Sequence, residues 1–320
     1  MDEGSHPQTH GRLVVGLGEL IWDLFPEGRR LGGAPSNFAY VSRLLGNEAA
    51  VASRVGRDPL GDEAVERLGR AGLSTDYLQR DDEYPTGTVG VRVGANGEPR
   101  FNVNENSAWD YLEWTPEWER LAGRAGVVCF GTLGQRRPAA RATIQRFLEA
   151  SRPDALRLFD VNLRHSFFTP DMLARSLGLS TVVKLNAEEL SSAASMLSLR
   201  ASGELETARE LLELFGLRLV AVTRGAAGSL LVARDEADEH PGHRAARVAD
   251  TIGCGDAFAA ALAHCLRRGA PLSLSNEIAN RAGSWLATQT GATPEADPET
   301  IARLLDGLKC GGSPTVREGV

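Results

Sequence analysis

Four cysteines in 320 residues (Cys129, Cys254, Cys265 and Cys310) include no Cys-x-x-Cys pair. A chain this long builds a core without disulfides, so reduced thiols and a cytoplasmic location are expected. No apolar run approaches the ~18 residues that span a bilayer. The acidic start, Met1-Asp2-Glu3, lacks the positive charge and apolar stretch of a signal peptide. Basic residues are the minority, 35 against 42 acidic, and the net charge is −7. That balance gives no footprint for nucleic acid or an anionic membrane, so neither is an expected partner. Two phosphate signatures are also missing: no Gly-x-x-x-x-Gly-Lys-Ser/Thr occurs, and the dinucleotide fingerprint Gly-x-Gly-x-x-Gly is absent. The latter disfavours a dinucleotide dehydrogenase.

What remains has ordinary globular composition, with 42% apolar and 24% charged residues. The 35 Gly and 15 Pro follow no Gly-X-Y period, which excludes a collagen-like chain. Short apolar runs alternate with amphipathic stretches. Strands are predicted at 12–18, 49–54, 126–130, 156–161, 181–185, 217–223 and 229–233. Helices are predicted at 36–45, 62–70, 139–150 and 204–215, and nearly throughout 256–308. Such alternation argues for an α/β fold with a mostly parallel sheet sandwiched by helices. Extended pieces near 20–31 and 85–110, the second carrying an Asn96-Gly97 turn, form a small β lid beside that body. A single domain over 11–310 with tails at 1–10 and 311–320 is the expected organisation.

Three glycine clusters stand where open α/β sheets bind ligands. The first, Gly253-Cys254-Gly255-Asp256, opens an apolar helix, and backbone N–H groups at a helix N-terminus make an anion hole. Asp256 in that first turn is equally good capping chemistry. Gly32-Gly33-Ala34-Pro35-Ser36-Asn37 precedes a second helix, and a turn with a cap is its plainer reading. Thr223-Arg224-Gly225-Ala226-Ala227-Gly228 offers a hydroxyl, a cation and bare backbone, or simply a hairpin turn.

Together these motifs resemble the ribokinase-like (PfkB) carbohydrate kinases. Asp250 to Asp256 resembles Asp-Thr-x-Gly-x-Gly-Asp, and Gly32 to Asn37 resembles the sugar motif Gly-Gly-x-x-x-Asn. Asn186 to Glu189 is similar to Asn-x-x-Glu, Thr223 to Gly228 to Thr-x-Gly-x-x-Gly, and Asp160 to Arg164 to Asp-x-Asn-x-Arg. Gly18 to Gly28, Pro85 to Val89 and Ala108-Trp109-Asp110 resemble bacterial fructokinases. Cys254 departs from the pattern, where Ala is commoner.

The resemblance implies an ATP-dependent kinase that uses Mg²⁺ and phosphorylates a monosaccharide hydroxyl, D-fructose at its 6-position first. Keto-deoxygluconate and nucleosides are the alternatives within the family, and an inactive sugar-binding regulator the alternative outside catalysis. It implies Asp256 as base, with the N–H groups of Gly253, Cys254, Gly255 and Asp256 on the phosphoryl oxygens. Asp23, Gly33, Asn37, Phe101 and Arg164 would meet the sugar. Asn186 and Glu189 would order the water shell of Mg²⁺, while Thr223, Gly225 and Gly228 contact phosphates and Asn280 the adenine side. Many relatives bind a monovalent cation such as K⁺, for which Asp250 and the Ile252 carbonyl could serve. A homodimer paired through the lid is the family expectation.

Further readings are local. His240 and His243 lack an evident third metal ligand. Trp109, Tyr111, Trp114 and Trp118 are expected to anchor the lid edge and a following helix. Arg136-Arg137 and Arg267-Arg268 read as solvated surface. Cys254, at a helix N-terminus, is expected to have a lowered pKa and react with iodoacetamide, unless its side chain packs inward.

Overall fold

The computed structural model describes residues 13–308, apart from 27, 94–98, 165–166 and 246 and the side chains of 91–93 and 99–102. The chain opens with β1 (Leu13–Leu17), β2 (Ile21–Phe25) and β3 (Gly28–Gly32), and α1 (Ala34–Leu44) leads into β4 (Glu48–Gly56). Next come α2 (Pro59–Arg70), β5 (Leu78–Asp81), β6 (Gly87–Val93) and β7 (Pro99–Val103). A 3-10 turn at Ala108–Tyr111 precedes α3 (Pro116–Arg124), β8 (Ala125–Gly131), α4 (Pro138–Ala150) and β9 (Leu156–Asp160). Then follow α5 (Pro170–Gly178), β10 (Val182–Asn186), α6 (Ala187–Met196) and α7 (Glu204–Phe215). The last strands are β11 (Leu219–Thr223), β12 (Ser229–Ala233) and β13 (Ala237–His240), before α8 (Cys254–Arg267), α9 (Leu272–Ala287) and α10 (Pro298–Leu304).

Nine strands form the main sheet in the order β13-β12-β11-β10-β9-β8-β1-β4-β5, parallel except where β12 and β13 join at one edge. Helices cover both faces, so the central strands read as unbroken apolar runs. Every residue of β1 and β8 is buried. Side chains alternate between two cores: Val14 joins α1, α2, α8 and α9, while Val15 and Leu17 join α3 to α7. α8 is buried from Ala257 to Leu266, packed between α1 and α9. Among the described residues no helix is long and apolar enough to cross a membrane.

One close approach fixes where α1 begins. A Cβ on Gly16 would lie 2.0 Å from the Pro35 carbonyl oxygen, so only glycine in β1 lets the first turn of α1 rest on the strand.

The two extended excursions combine into one four-stranded sheet, β3-β2-β6-β7. Hairpins β2–β3 and β6–β7 are antiparallel, and β2 pairs with β6 in parallel. The expected turn at 94–98 lies outside the described residues. Trp22 fastens this sheet to α2, donating from Nε1 to the Leu60 carbonyl at 3.0 Å. Thr86, just ahead of β6, is held by Asp58, the N-cap of α2: its N–H and its hydroxyl each bond a carboxylate oxygen at 2.8 Å.

The tryptophans act as anchors. Trp118 donates to the Tyr77 carbonyl at 3.2 Å, and its ring and that of Trp114 meet Phe147 edge-on. Arg136 corrects the surface reading. Its side chain is 4% exposed, paired bidentately with Asp110 at 2.7 Å beneath Trp109. Arg137 stays at the surface, beside Glu105 and Asn106. The guanidinium is drawn in because a fully buried carboxylate and an aromatic face both solvate it.

Removing one partner leaves the other charge buried and unpaired. Asp110→Ala is therefore expected to lower the unfolding free energy by ~3–5 kcal/mol in equilibrium urea denaturation. Glu105→Ala, at the exposed pair, should leave the midpoint unchanged.

Candidate active site

The C-terminal ends of β1, β9, β10 and β11 deliver Glu19, Asp160, Asn186 and Thr223 to one side of the main sheet, where α8 begins. Gly253 is the α8 N-cap with φ of 81°, and a Cβ there would lie 2.6 Å from the Ala292 Cβ. The first N–H groups of a helix have no intrahelical acceptor. That of Cys254 makes only a long 3.4 Å bond to the Thr251 carbonyl, so the turn at 253–256 presents donors to an anion.

Asp256 sits in that turn, and Asn37 of α1 donates to its Oδ2 at 2.8 Å. The sugar-motif amide and the expected base thus touch across 219 positions. Gly33 prepares this meeting: its φ is 107°, and a Cβ would strike the Glu19 carbonyl oxygen at 2.5 Å. Burial, reinforced by Asp160, pushes the Asp256 pKa up to about 6, against Lys184, Asn37 and Arg164. Asp23 of β2 is also pushed up to about 6 by burial, with Arg164 and Arg30 pulling it down. Arg164 is exposed and its charge reaches both carboxylates. The Phe101 side chain lies outside the described residues.

Two participants escaped the motif reading. Lys184 of β10 is 8% exposed and donates to both oxygens of Asp160 at 2.9 and 3.0 Å. A Cβ on Gly255 would lie 2.8 Å from its Nζ, so this ammonium lies against the first turn of α8. The signal was there: a lone charge in the apolar strand Val182-Val183-Lys184-Leu185 demands a buried partner. Glu19 is 1% exposed, its Oε2 has no hydrogen-bond partner among the described residues, and burial pushes its pKa up to about 7.

Asn186 and Glu189 form a capping box at α6, exchanging side-chain and backbone bonds at 2.8 Å. The other Glu189 oxygen accepts from the Leu163 N–H at 2.9 Å, tying the loop after β9 to α6. A cavity of about 290 Å³ opens here, lined by Asn162, Arg164, Asn186, Glu188, Glu189 and Ser192 among others. Hard oxygen donors of this kind suit Mg²⁺ with its waters retained.

The loop after β11 is both a hairpin turn and a glycine loop. Arg224 is not a free cation: it pairs with Glu204 and Glu239. Thr223 ends β11 opposite Ser229, Gly225 has φ of 58°, and a Cβ on Gly228 would meet the His240 carbonyl oxygen at 1.9 Å. Asn280 lies behind this turn, giving its amide N–H groups to Ser229 and Asn276 at 2.7–3.0 Å. His240 and His243 do have a third neighbour, Glu277, at 2.7 and 3.1 Å. The Gly242 N–H donates to His240 Nδ1 at 2.9 Å, which leaves the proton on Nε2, and Arg281 shares the carboxylate at 2.8 Å. The two imidazoles and the arginine thus converge on one carboxylate, and the ligand atoms of His240, His243 and Glu277 lie within 4.8 Å of one another, close enough to share a metal ion.

Residues 26–299 match the pfkB family of carbohydrate kinases. The chain belongs to this family. It is 32% identical to a fructokinase of Salmonella typhimurium over 298 residues, 86% of this chain and 93% of that one. It is 27% identical to the aminoimidazole riboside kinase of that species over 318 residues, covering 94% and 97%. The fold matches the ATP-bound fructokinase of Xylella fastidiosa with a TM-score of 0.78 at 21% identity, covering 92% and 98%. The mostly parallel sheet between helices is the ribokinase-like fold.

Within this pfkB kinase, Cys254 corrects the expectation of a lowered pKa. Its Sγ packs at the core edge, 4.0 Å from the Asp250 carbonyl oxygen. Burial, then Asp250 and Asp256, push the thiol up to about 11, so nearby carboxylates outweigh the helix terminus. Cys129 and Cys265 are buried and likewise shifted up; Cys310 lies outside the described residues.

Two outcomes follow. At pH 7.5 iodoacetamide should alkylate Cys254 far more slowly than a free thiol such as glutathione, read by peptide mass spectrometry, and leave activity intact over the time in which the free thiol is consumed. Lys184→Met removes the cation that holds Asp256 down. The acid limb of its kcat/KM profile should move up by ~1 pH unit with kcat lowered, while an unmoved limb would make Lys184 purely structural.

Proposed function

We propose that this kinase transfers the γ-phosphoryl group of ATP to the 6-hydroxyl of D-fructose. The observation that carries the reading is the Asn37–Asp256 hydrogen bond at the start of α8. It joins a sugar-motif amide by one hydrogen bond to a carboxylate in the first turn of α8, which supports reading that turn as the phosphate site.

Asp256 takes the hydroxyl proton as that oxygen attacks the γ-phosphorus, the bond to the β-phosphate oxygen breaks, and ADP leaves. A pKa of about 6 leaves the carboxylate mostly ionised at neutral pH yet more basic than an ordinary aspartate. The N–H groups of Gly253, Cys254, Gly255 and Asp256 donate to the transferring oxygens, without reorganising, because α8 is buried behind them. Asn37 Oδ1 is buried without a partner among the described residues and is free to accept a sugar hydroxyl, with Asp23 and Gly33 alongside. Thr223, Gly225 and Gly228 line the phosphate path, with Asn280 behind them toward adenine. Asn186 and Glu189 would hold Mg²⁺ through water, which neutralises phosphate charge when bound. The four-stranded sheet acts as the lid over the sugar. A cytoplasmic homodimer belongs to this reading, and sedimentation of the purified chain tests the dimer.

A keto acid such as keto-deoxygluconate is the second reading, supported by Arg164, whose charge reaches Asp23. A coupled assay over fructose, keto-deoxygluconate, ribose and aminoimidazole riboside separates them, since fructose should give the highest kcat/KM. Asp256→Asn should lower kcat by ~10²–10⁴ with ATP affinity retained. Wild-type kcat/KM should fall as pH drops through about 6, where Asp256 takes up its proton. Turnover of the variant within tenfold of wild type would remove Asp256 as the base.

A further inference from the structure

The Asp250 carboxylate, where a monovalent cation would be expected, is already ringed by donors. Oδ2 accepts from Arg30 Nη1 at 3.0 Å and from the Gly291 N–H at 3.2 Å, and Oδ1 accepts from the Ile252 N–H at 3.0 Å. A potassium ligand needs a lone pair directed at the ion, and three of the carboxylate's four are directed at N–H groups instead, both of those on Oδ2 among them. A cation drawn to the same oxygens would also face the guanidinium and be repelled by it. The residues present do not fit the ion.

We propose that Arg30 takes the place of the monovalent cation, so that this kinase is independent of potassium. Arg30 is built into its position. Its Cδ lies 3.6 Å from where a Gly291 Cβ would project, and its guanidinium sits 4.6 Å from the centre of the Phe25 ring. The Arg30 and Asp250 side chains are 34% and 16% exposed, so the pair is half-buried. The charge also acts where a cation would be useful. Asp250 raises the pKa of both Asp23 and Cys254, and Arg30 opposes it at Asp23. Neutralising Asp250 keeps its negative charge from repelling phosphate at the adjacent turn and orders the Asp250–Gly253 segment. An ion would arrive from solvent, but Arg30 arrives on β3, so the charge is in place only when the four-stranded sheet is docked.

The melting and thallium measurements need neither sugar nor nucleotide, and so stand apart from the choice of substrate. Full-length wild type and Arg30→Met are melted in choline chloride and in KCl at equal ionic strength, and Tl⁺ binding is followed by ²⁰⁵Tl NMR. Wild type should melt at one temperature in both salts and bind no Tl⁺. Arg30→Met should melt lower in choline chloride, regain part of that loss saturably in KCl, and bind Tl⁺. In the sugar-kinase assay, loss of this charge-assisted bond should lower the variant's rate in choline chloride ~10-fold, with KCl restoring part of it. A saturable KCl rise in wild-type Tm, Tl⁺ binding to wild type, or several-fold KCl activation of wild type would overturn the proposal. So would an Arg30→Met protein that melts cooperatively and ignores potassium.

Discussion

Two helices that start at opposite ends of the chain must meet at their first turns, and the 2.8 Å bond from Asn37 to Asp256 is where they do. Much of the fold serves that contact. α1 comes down onto β1 because Gly16 carries no Cβ, and α8 is fixed in depth by packing on α1 and α9. A core of helices on one face of the sheet therefore sets a polar distance at its edge. Packing at interior density leaves little freedom to adjust it, so the polar geometry is as rigid as the apolar layers beneath.

The proposed site is acidic for a place that would receive phosphate. Glu19, Asp23 and Asp256 answer by holding protons more tightly than free carboxyls, moving from 4.5 to about 7, and from 3.8 to about 6 for each aspartate. Raised acid pKa values mean that the folded state binds more protons than the unfolded one. Each group therefore withdraws stability as pH climbs from its unfolded pKa toward its folded one, over roughly pH 4 to 7. Lys184 and Arg30 work the other way, each pairing with a carboxylate near the start of α8. The site is organised at some expense to stability, as functional sites commonly are.

The layered α/β body and the glycine loops were legible in the chain because they are local. Val14-Val15 or Leu219–Thr223 reads as a buried strand from its own composition, and α7 was expected over the residues it occupies. Pairings were harder to read. Nothing near Arg136 announces Asp110, and nothing near His243 announces Glu277, since such partners are set by tertiary placement. Cys254 shows the same limit in electrostatics. The helix terminus was visible in sequence, but the balance against burial and two carboxylates needed coordinates. The short edge strand β13 has little periodicity to distinguish it from loop and went unnoticed, as did helices α5 and α6, although Thr169 as cap, Pro170, and Met172, Leu173, Ser176 and Leu177 at helical spacing did signal α5.

The four-stranded sheet is held to the body on two sides: Thr86 on Asp58, Trp22 on Leu60 and Arg29 on Glu63 toward α2, and Arg30 on Asp250 toward the start of α8. Arg29 and Arg30 are successive residues of β3, so their side chains leave opposite faces of the strand. A plate gripped from both faces is clamped rather than hinged.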